Sequence, residues 1–140
     1  MQQKRAVIVE HRYERRATAS PVEVGRFRAD VTALARAAGA SEGQAEDVAL
    51  AVTEACANAV VHAYAHDDVP GQVAVQATAD DAWLTVTVRD WGSGLGAGSP
   101  TPGLGMGLPL LHALSEDVVL VECADLGVEV RMTFNLDAPR

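Results

Sequence analysis

At 140 residues the chain is long enough for one domain with one hydrophobic core and too short for several. Its side chains are 49% apolar and only 4% aromatic, which excludes a disordered or low-complexity class and leaves alanine, valine and leucine to do the packing. The net charge of −8 is uneven, with eight basic residues against four acids in residues 1–36 and three against fifteen thereafter, so the body is a poor partner for nucleic acid while the basic N-terminal part suits an acidic protein surface.

In chain order, "RAVIVEHRYE" (5–14) predicts a first strand. The "AVIV" within it is too short for a secretory signal. Ser20 followed by Pro21 predicts a helix start, with proline at the first helical position. Val24, Phe27, Val31, Leu34 and Ala35 then recur at helical spacing, and Gly39 is the expected stop. Ser41 opens a second helix, with Gln44 completing a capping box. Val48, Ala51, Val52, Ala55 and Ala59 give it an apolar stripe running to about Ala65, where "HDDVPG" turns the chain.

Two strands follow, "QVAVQAT" and "AWLTVTVR", joined by the polar turn "ADDA". In the second, Leu84, Val86 and Val88 share one face, while Thr85, Thr87 and Arg89 share the other. Asp90 keeps the parity of the apolar face, and a carboxylate there needs partners because burying it alone is costly. The glycine-rich "DWGSGLGAGSPTPGLGMGLP" is expected to be a loop that ends in a helix, "GMGLPLLHALS". "DVVLVECADLGVEVRMTFNL" closes as a hairpin around Asp125 to Gly127. The predicted architecture is a single α+β domain over residues 1–140, a two-layer sandwich with three helices on one face of a mixed, mostly antiparallel sheet. No run approaches the roughly 20 apolar residues that span a bilayer, so no membrane contact is expected. Cys56 and Cys123 form no metal-like pair, and a reducing cytoplasm is the expected compartment.

Lys4 is the only lysine. A Walker loop, a protein-kinase catalytic lysine and a Ser-x-x-Lys site are therefore excluded, and phosphate chemistry must rely on backbone N–H groups, metal and helix dipoles. Three stretches carry residues suited to that. In "EACANAVVHAY", Glu54, Asn58 and His62 lie four residues apart on one helix face, with about 5–6 Å between successive Cβ atoms. The Asn58 amide oxygen suits Mg²⁺, a hard cation that keeps several waters. Glu54, one turn earlier, is placed to deprotonate an attacking hydroxyl. A solvated polar stripe gives the same spacing, and His62 with His66 is a loose match to a transition-metal pair. In "DWGSG", Gly92 and Gly94 let the backbone approach a flat ligand, and the inward Asp90 would accept from an exocyclic amino group such as adenine's. "GLGMG", from Gly103 to Gly107, leads into a helix whose N-terminal amides make an anion site.

In this order the three stretches resemble the boxes of the GHKL (Bergerat-fold) ATP-binding superfamily, which includes gyrase and histidine-kinase ATP domains. Glu54 and Asn58 carry the first box, Asp90, Gly92 and Gly94 the second, and Gly103, Gly105, Met106 and Gly107 the third. Within that superfamily, "EACANAVVHAY" and the short lid between Gly94 and Gly103 are similar to the anti-sigma-factor serine kinases of bacteria. The resemblance covers about Arg5 to Leu136. It implies an ATP- and Mg²⁺-dependent protein that holds a sigma factor inactive and phosphorylates a serine on an antagonist protein, and it implies a homodimer. It also implies the roles: Asp90 reads adenine, Asn58 holds Mg²⁺, Glu54 is the general base, and the third-box glycines expose amides to the phosphates. A lysine-free site is chemically workable because phosphoryl transfer relies on positioning and electrostatics.

Two positions depart from the pattern. Many relatives begin the last strand with Gly-Thr, where this chain has Gly127 and Val128. The missing hydroxyl is worth about 1 kcal/mol of hydrogen bonding. The stretch "SPTPGLGMG" also lacks the arginine that anti-sigma kinases can place in the lid. An ATP-responsive binding module without efficient transfer is therefore the alternative to a kinase, and a hydrolase built on His62 and His66 would explain neither glycine box.

Overall fold

The structure, a computed structural model, describes residues 11–63, 71–92 and 102–137, with the backbone alone at 62–63 and 102–107. Five strands form one sheet in the order β1-β2-β3-β5-β4: β1 is His11–Thr18, β2 Gln72–Asp80, β3 Trp83–Asp90, β4 Asp117–Glu122 and β5 Val128–Asn135. All four pairings are antiparallel, a narrower arrangement than the mixed sheet expected. Three helices complete the sandwich: α1 is Pro21–Ala37, α2 Glu42–Asn58 and α3 Pro102–Leu114.

Local chemistry sets the helix ends. The Ser20 hydroxyl accepts from the Glu23 N–H at 3.4 Å and Pro21 takes the first turn. At the other end Gly39 has φ +106°, its N–H reaches the Arg36 carbonyl, and the Ala40 N–H reaches that of Ala35. That is a Schellman stop, which needs a residue tolerant of left-handed backbone. The capping box of α2 closes in both directions, Gln44 N–H to Ser41 Oγ at 3.1 Å and Ser41 N–H to Gln44 Oε1 at 2.8 Å. Gln44 also donates to the carbonyls of Asn135 and Leu136 at 3.2 and 3.1 Å, tying the start of α2 to the end of β5.

The core lies between sheet and helices. Val73, Val75, Ala77 and Ala79 of β2, and Leu84, Val86 and Val88 of β3, face Phe27, Val31 and Ala35 of α1 and Val48, Ala51, Val52 and Ala55 of α2. Alternation in the strands and helical spacing in the helices produce this directly. Truncating a fully buried side chain such as Leu84 or Met132 to alanine costs about 2–5 kcal/mol.

Besides β2, which runs through Asp80 and so takes half of the predicted turn, three boundaries differ from the sequence reading. β1 runs on to Thr18, four residues past the predicted Glu14, because Arg15 to Thr18 find partners in Val75 to Gln72; residues 5–10 lie outside the described residues. After Asn58 the α-helical ladder widens into a π-helical turn, Ala59–Ala63, and the predicted end near Ala65 lies outside the described residues. α3 begins at Pro102, so the third glycine box is helical rather than loop. Glycine is a poor helix former, which misleads a local reading. Proline fits a first turn, and packing of α3 on α2 supplies what propensity does not.

Candidate functional site

Asp90 is the last residue of β3, and strand parity turns it toward the helices, as expected. Its Oδ1 accepts from the Gly92 N–H at 3.0 Å and the Val128 N–H at 3.3 Å. Among the described residues its second oxygen has no donor, which leaves an acceptor directed at the helix side of the sheet. Burial raises the carboxyl above its ordinary pKa, outweighing the two main-chain donors and the nearby Arg89, which act in the opposite direction.

The backbone around Asp90 is held from the β4–β5 hairpin. Gly127 has φ +90°, and a Cβ there would stand 2.6 Å from the Trp91 Cα and 2.7 Å from the Asp90 carbonyl carbon. Only glycine allows β5 to start this close to the end of β3. Val128 follows, buried and inward, so the side chain at this position is apolar while its N–H still serves Asp90. Arg89 closes the arrangement from the other face. Its Nε donates to the Asp90 carbonyl at 3.0 Å, and its Nη2 to Asp125 Oδ1 at 2.9 Å and the Leu126 carbonyl at 3.0 Å. Local spacing gave no sign of this web; the one cue was the glycine of the hairpin turn.

Glu54 and Asn58 lie one turn apart on α2, both half-buried, and Asn58 is the last residue before the π-helical turn. Such turns interrupt helices at functional sites more often than elsewhere. Neither side chain hydrogen-bonds another described residue. A fully solvated stripe would be more open than this, as Leu50 and Val61 on the same helical segment are. α2 and the π-helical turn pack on β3, and α2 also packs on α3. The helix with Glu54 and Asn58 thus stands between the strand ending in Asp90 and the helix with Gly103, Gly105, Met106 and Gly107. The first amides of α3 have no intrahelical acceptor. Pro109 inside α3 has no N–H, so the Gly105 carbonyl lacks its usual partner four residues on.

Gly94, His66 and the His62 side chain lie outside what is described, so the two-histidine pair has no geometry here. Among the described residues no three histidine, cysteine or acidic side chains gather as a metal site. Mg²⁺ does not need such a cluster, since one amide oxygen with several waters and phosphate oxygens satisfies it. The Asn58 amide, half-buried and without a partner among the described residues, fits that donor set.

The histidine kinase-like ATPase domain family matches residues 17–134 of the chain. The chain is similar to the serine-protein kinase RsbW of Bacillus licheniformis, 34% identical over 91% of this chain and 87% of that protein. RsbW of Bacillus subtilis is 32% identical, again over 91% of this chain and 87% of its own. An anti-sigma F factor of Bacillus velezensis is 28% identical over 64% of this chain and 68% of that one. In fold, the chain is similar to a solved structure of RsbU and RsbW domains from Mycobacterium tuberculosis, with a TM-score of 0.72 and 23% identity, covering 91% of this chain and 33% of that one.

Proposed function

The chain belongs to the histidine kinase-like ATPase domain family, and from that premise we propose that it is an ATP-dependent serine-protein kinase that also restrains a sigma factor. Its phospho-acceptor is a serine of the antagonist protein that would otherwise release that sigma factor. The observation that carries the reading is Asp90: an inward carboxylate with one oxygen held by main-chain donors and the other left for a ligand. Adenine offers the exocyclic N–H that such an acceptor takes.

In this reading the acceptor serine oxygen bonds the γ-phosphorus as the bond to the β–γ bridging oxygen breaks, ADP leaves, and Glu54 takes the hydroxyl proton. Asn58 holds the ion, and Mg²⁺, when bound, neutralises charge on the phosphates. The N–H groups of Gly103, Gly105, Met106 and Gly107 at the start of α3 donate to the phosphate oxygens. Gly92 and Gly94 let the chain lie flat beside the purine. We place the protein in the cytoplasm, acting on transcription as a homodimer. Among the described residues no helix is long and apolar enough to cross a membrane.

Incubation with radiolabelled ATP, Mg²⁺ and small candidate antagonists from the same genome tests the reading. Label on a serine of one antagonist is the expected result, and ATP binding with no transfer to any of them would favour the second reading, an ATP-responsive module that sequesters without phosphorylating. The feature that speaks for that second reading is the absence of arginine between Gly92 and Gly107.

A further inference from the structure

On the sheet face that no helix of the described residues covers, two guanidinium groups approach the ring of Trp91. Arg16 Cζ lies 4.1 Å from the ring and Arg89 Cζ 4.7 Å, both within cation–π range. The two arginines stand in one row of the sheet, on either side of Ala74: Arg16 pairs with Ala74, and Ala74 with Arg89. Arg16 belongs to the edge strand β1, and its Nε also bonds Gln72 Oε1 at 3.3 Å. The ring borders a cavity of about 290 Å³ lined with Glu14, Arg16, Ala74, Arg89 and Glu129.

Trp91 sits between the two residues that shape the adenine end of the candidate site. Asp90 precedes it and points to the helix face; Gly92 follows it and gives its N–H to the Asp90 carboxylate. Trp91 directly follows the last residue of β3, so turning its side chain off the outer face would rotate the two peptide units that join it to Asp90 and Gly92. Arg89 strengthens the coupling, because the guanidinium that meets the ring also holds the Asp90 carbonyl and the hairpin turn at Asp125 and Leu126. That turn leads through Gly127 to the Val128 N–H, the second donor on Asp90.

We infer that Trp91, held on the open sheet face by Arg16 and Arg89, is the positioning residue that aims the Asp90 carboxylate, through the Gly92 N–H that holds it, into the nucleotide site on the opposite face. The inference rests on the reading of Asp90 as the adenine-binding group. Trp91 touches no nucleotide in this arrangement; it acts through its two neighbours.

The test is calorimetric binding of ATP, ADP and GTP to the full chain and to Trp91→Ala, Trp91→Phe, Arg16→Gln and Asp90→Asn/Trp91→Ala. Trp91→Ala is expected to weaken ATP and ADP by the same factor, about five- to tenfold, to narrow the preference over GTP, and to leave the Mg²⁺ dependence of ATP binding unchanged. Trp91→Phe, which keeps an aromatic face, should restore affinity to within about twofold. Trp91→Ala on top of Asp90→Asn should add little further loss, as expected of residues acting through one group. Arg16→Gln changes only an exposed side chain, should give a smaller loss of the same pattern, and carries the test if Trp91→Ala does not fold. A parent that binds no adenine nucleotide would overturn the reading of the site and the inference with it. A parent that binds, with Trp91→Ala or Arg16→Gln binding as tightly or losing Mg²⁺ dependence instead, would overturn the positioning role alone.

Discussion

Gly127 leaves no room for a side chain against Asp90: a Cβ there would stand 2.7 Å from the Asp90 carbonyl carbon, on backbone with φ +90°. The close approach lets the next residue, Val128, donate its N–H to the Asp90 carboxylate. Gly127→Ala should therefore force β3 and β5 apart at their ends and lower stability by more than about 1 kcal/mol, since both the φ and the space are wrong for alanine. The urea midpoint and ATP affinity should fall together. An unchanged midpoint would show that the strand ends separate freely.

Asp90 has a carboxyl held above its ordinary pKa by burial. The folded state binds that proton more readily than the unfolded chain. The resulting stability is fully present below the unfolded pKa and is lost as pH rises through the raised folded value. At neutral pH the ionised group therefore weakens the ligand-free fold. Asp90→Asn keeps an oxygen for both N–H donors, so it should raise the urea midpoint near neutral pH and give no gain in the acid range. It should also discriminate less sharply between ATP and GTP. Parallel midpoints for parent and variant across pH would refute the sign.

Asn58 is expected to be the protein's own ligand to Mg²⁺. Asn58→Ala should remove the gain in ATP affinity that Mg²⁺ brings, about ten- to a hundredfold, the scale of one bond to a charged partner. Calorimetry with and without the ion measures this, and an Asn58→Ala chain that still responds to Mg²⁺ would take the role away.

Glu54 is expected to act on the acceptor hydroxyl and not on the nucleotide. Glu54→Gln should bind ATP within about twofold of the parent while transfer to the antagonist serine drops by about 10²–10⁴-fold. Equal phosphorylation by both chains would leave no place for a base there.

Cys56 lies on α2 with its thiol in the core, and burial pushes its pKa up to about 12. Only the thiolate reacts readily, so iodoacetamide should leave Cys56 unmodified in the native protein at neutral pH while labelling the half-buried Cys123. Mass spectrometry before and after unfolding in urea reads the difference. Native labelling of both at similar rates would place the Cys56 thiol outside the core.

The chain by itself determined most of the scaffold. Ser20, Pro21, Gly39, Ser41 and Gln44 mark helix ends through hydrogen bonds to residues within a few positions, and the strand alternation placed Leu84, Val86, Val88 and Asp90 on one face. These are short-range effects, so a local pattern encodes them. Tertiary structure alone decided the rest. The helical state of Gly103 to Gly107 runs against local propensity and depends on packing against α2. The web joining Gly127, Val128, Arg89 and Trp91 to Asp90 connects residues nearly forty positions apart. Sheet register brings them together, and no spacing within a short window carries that information.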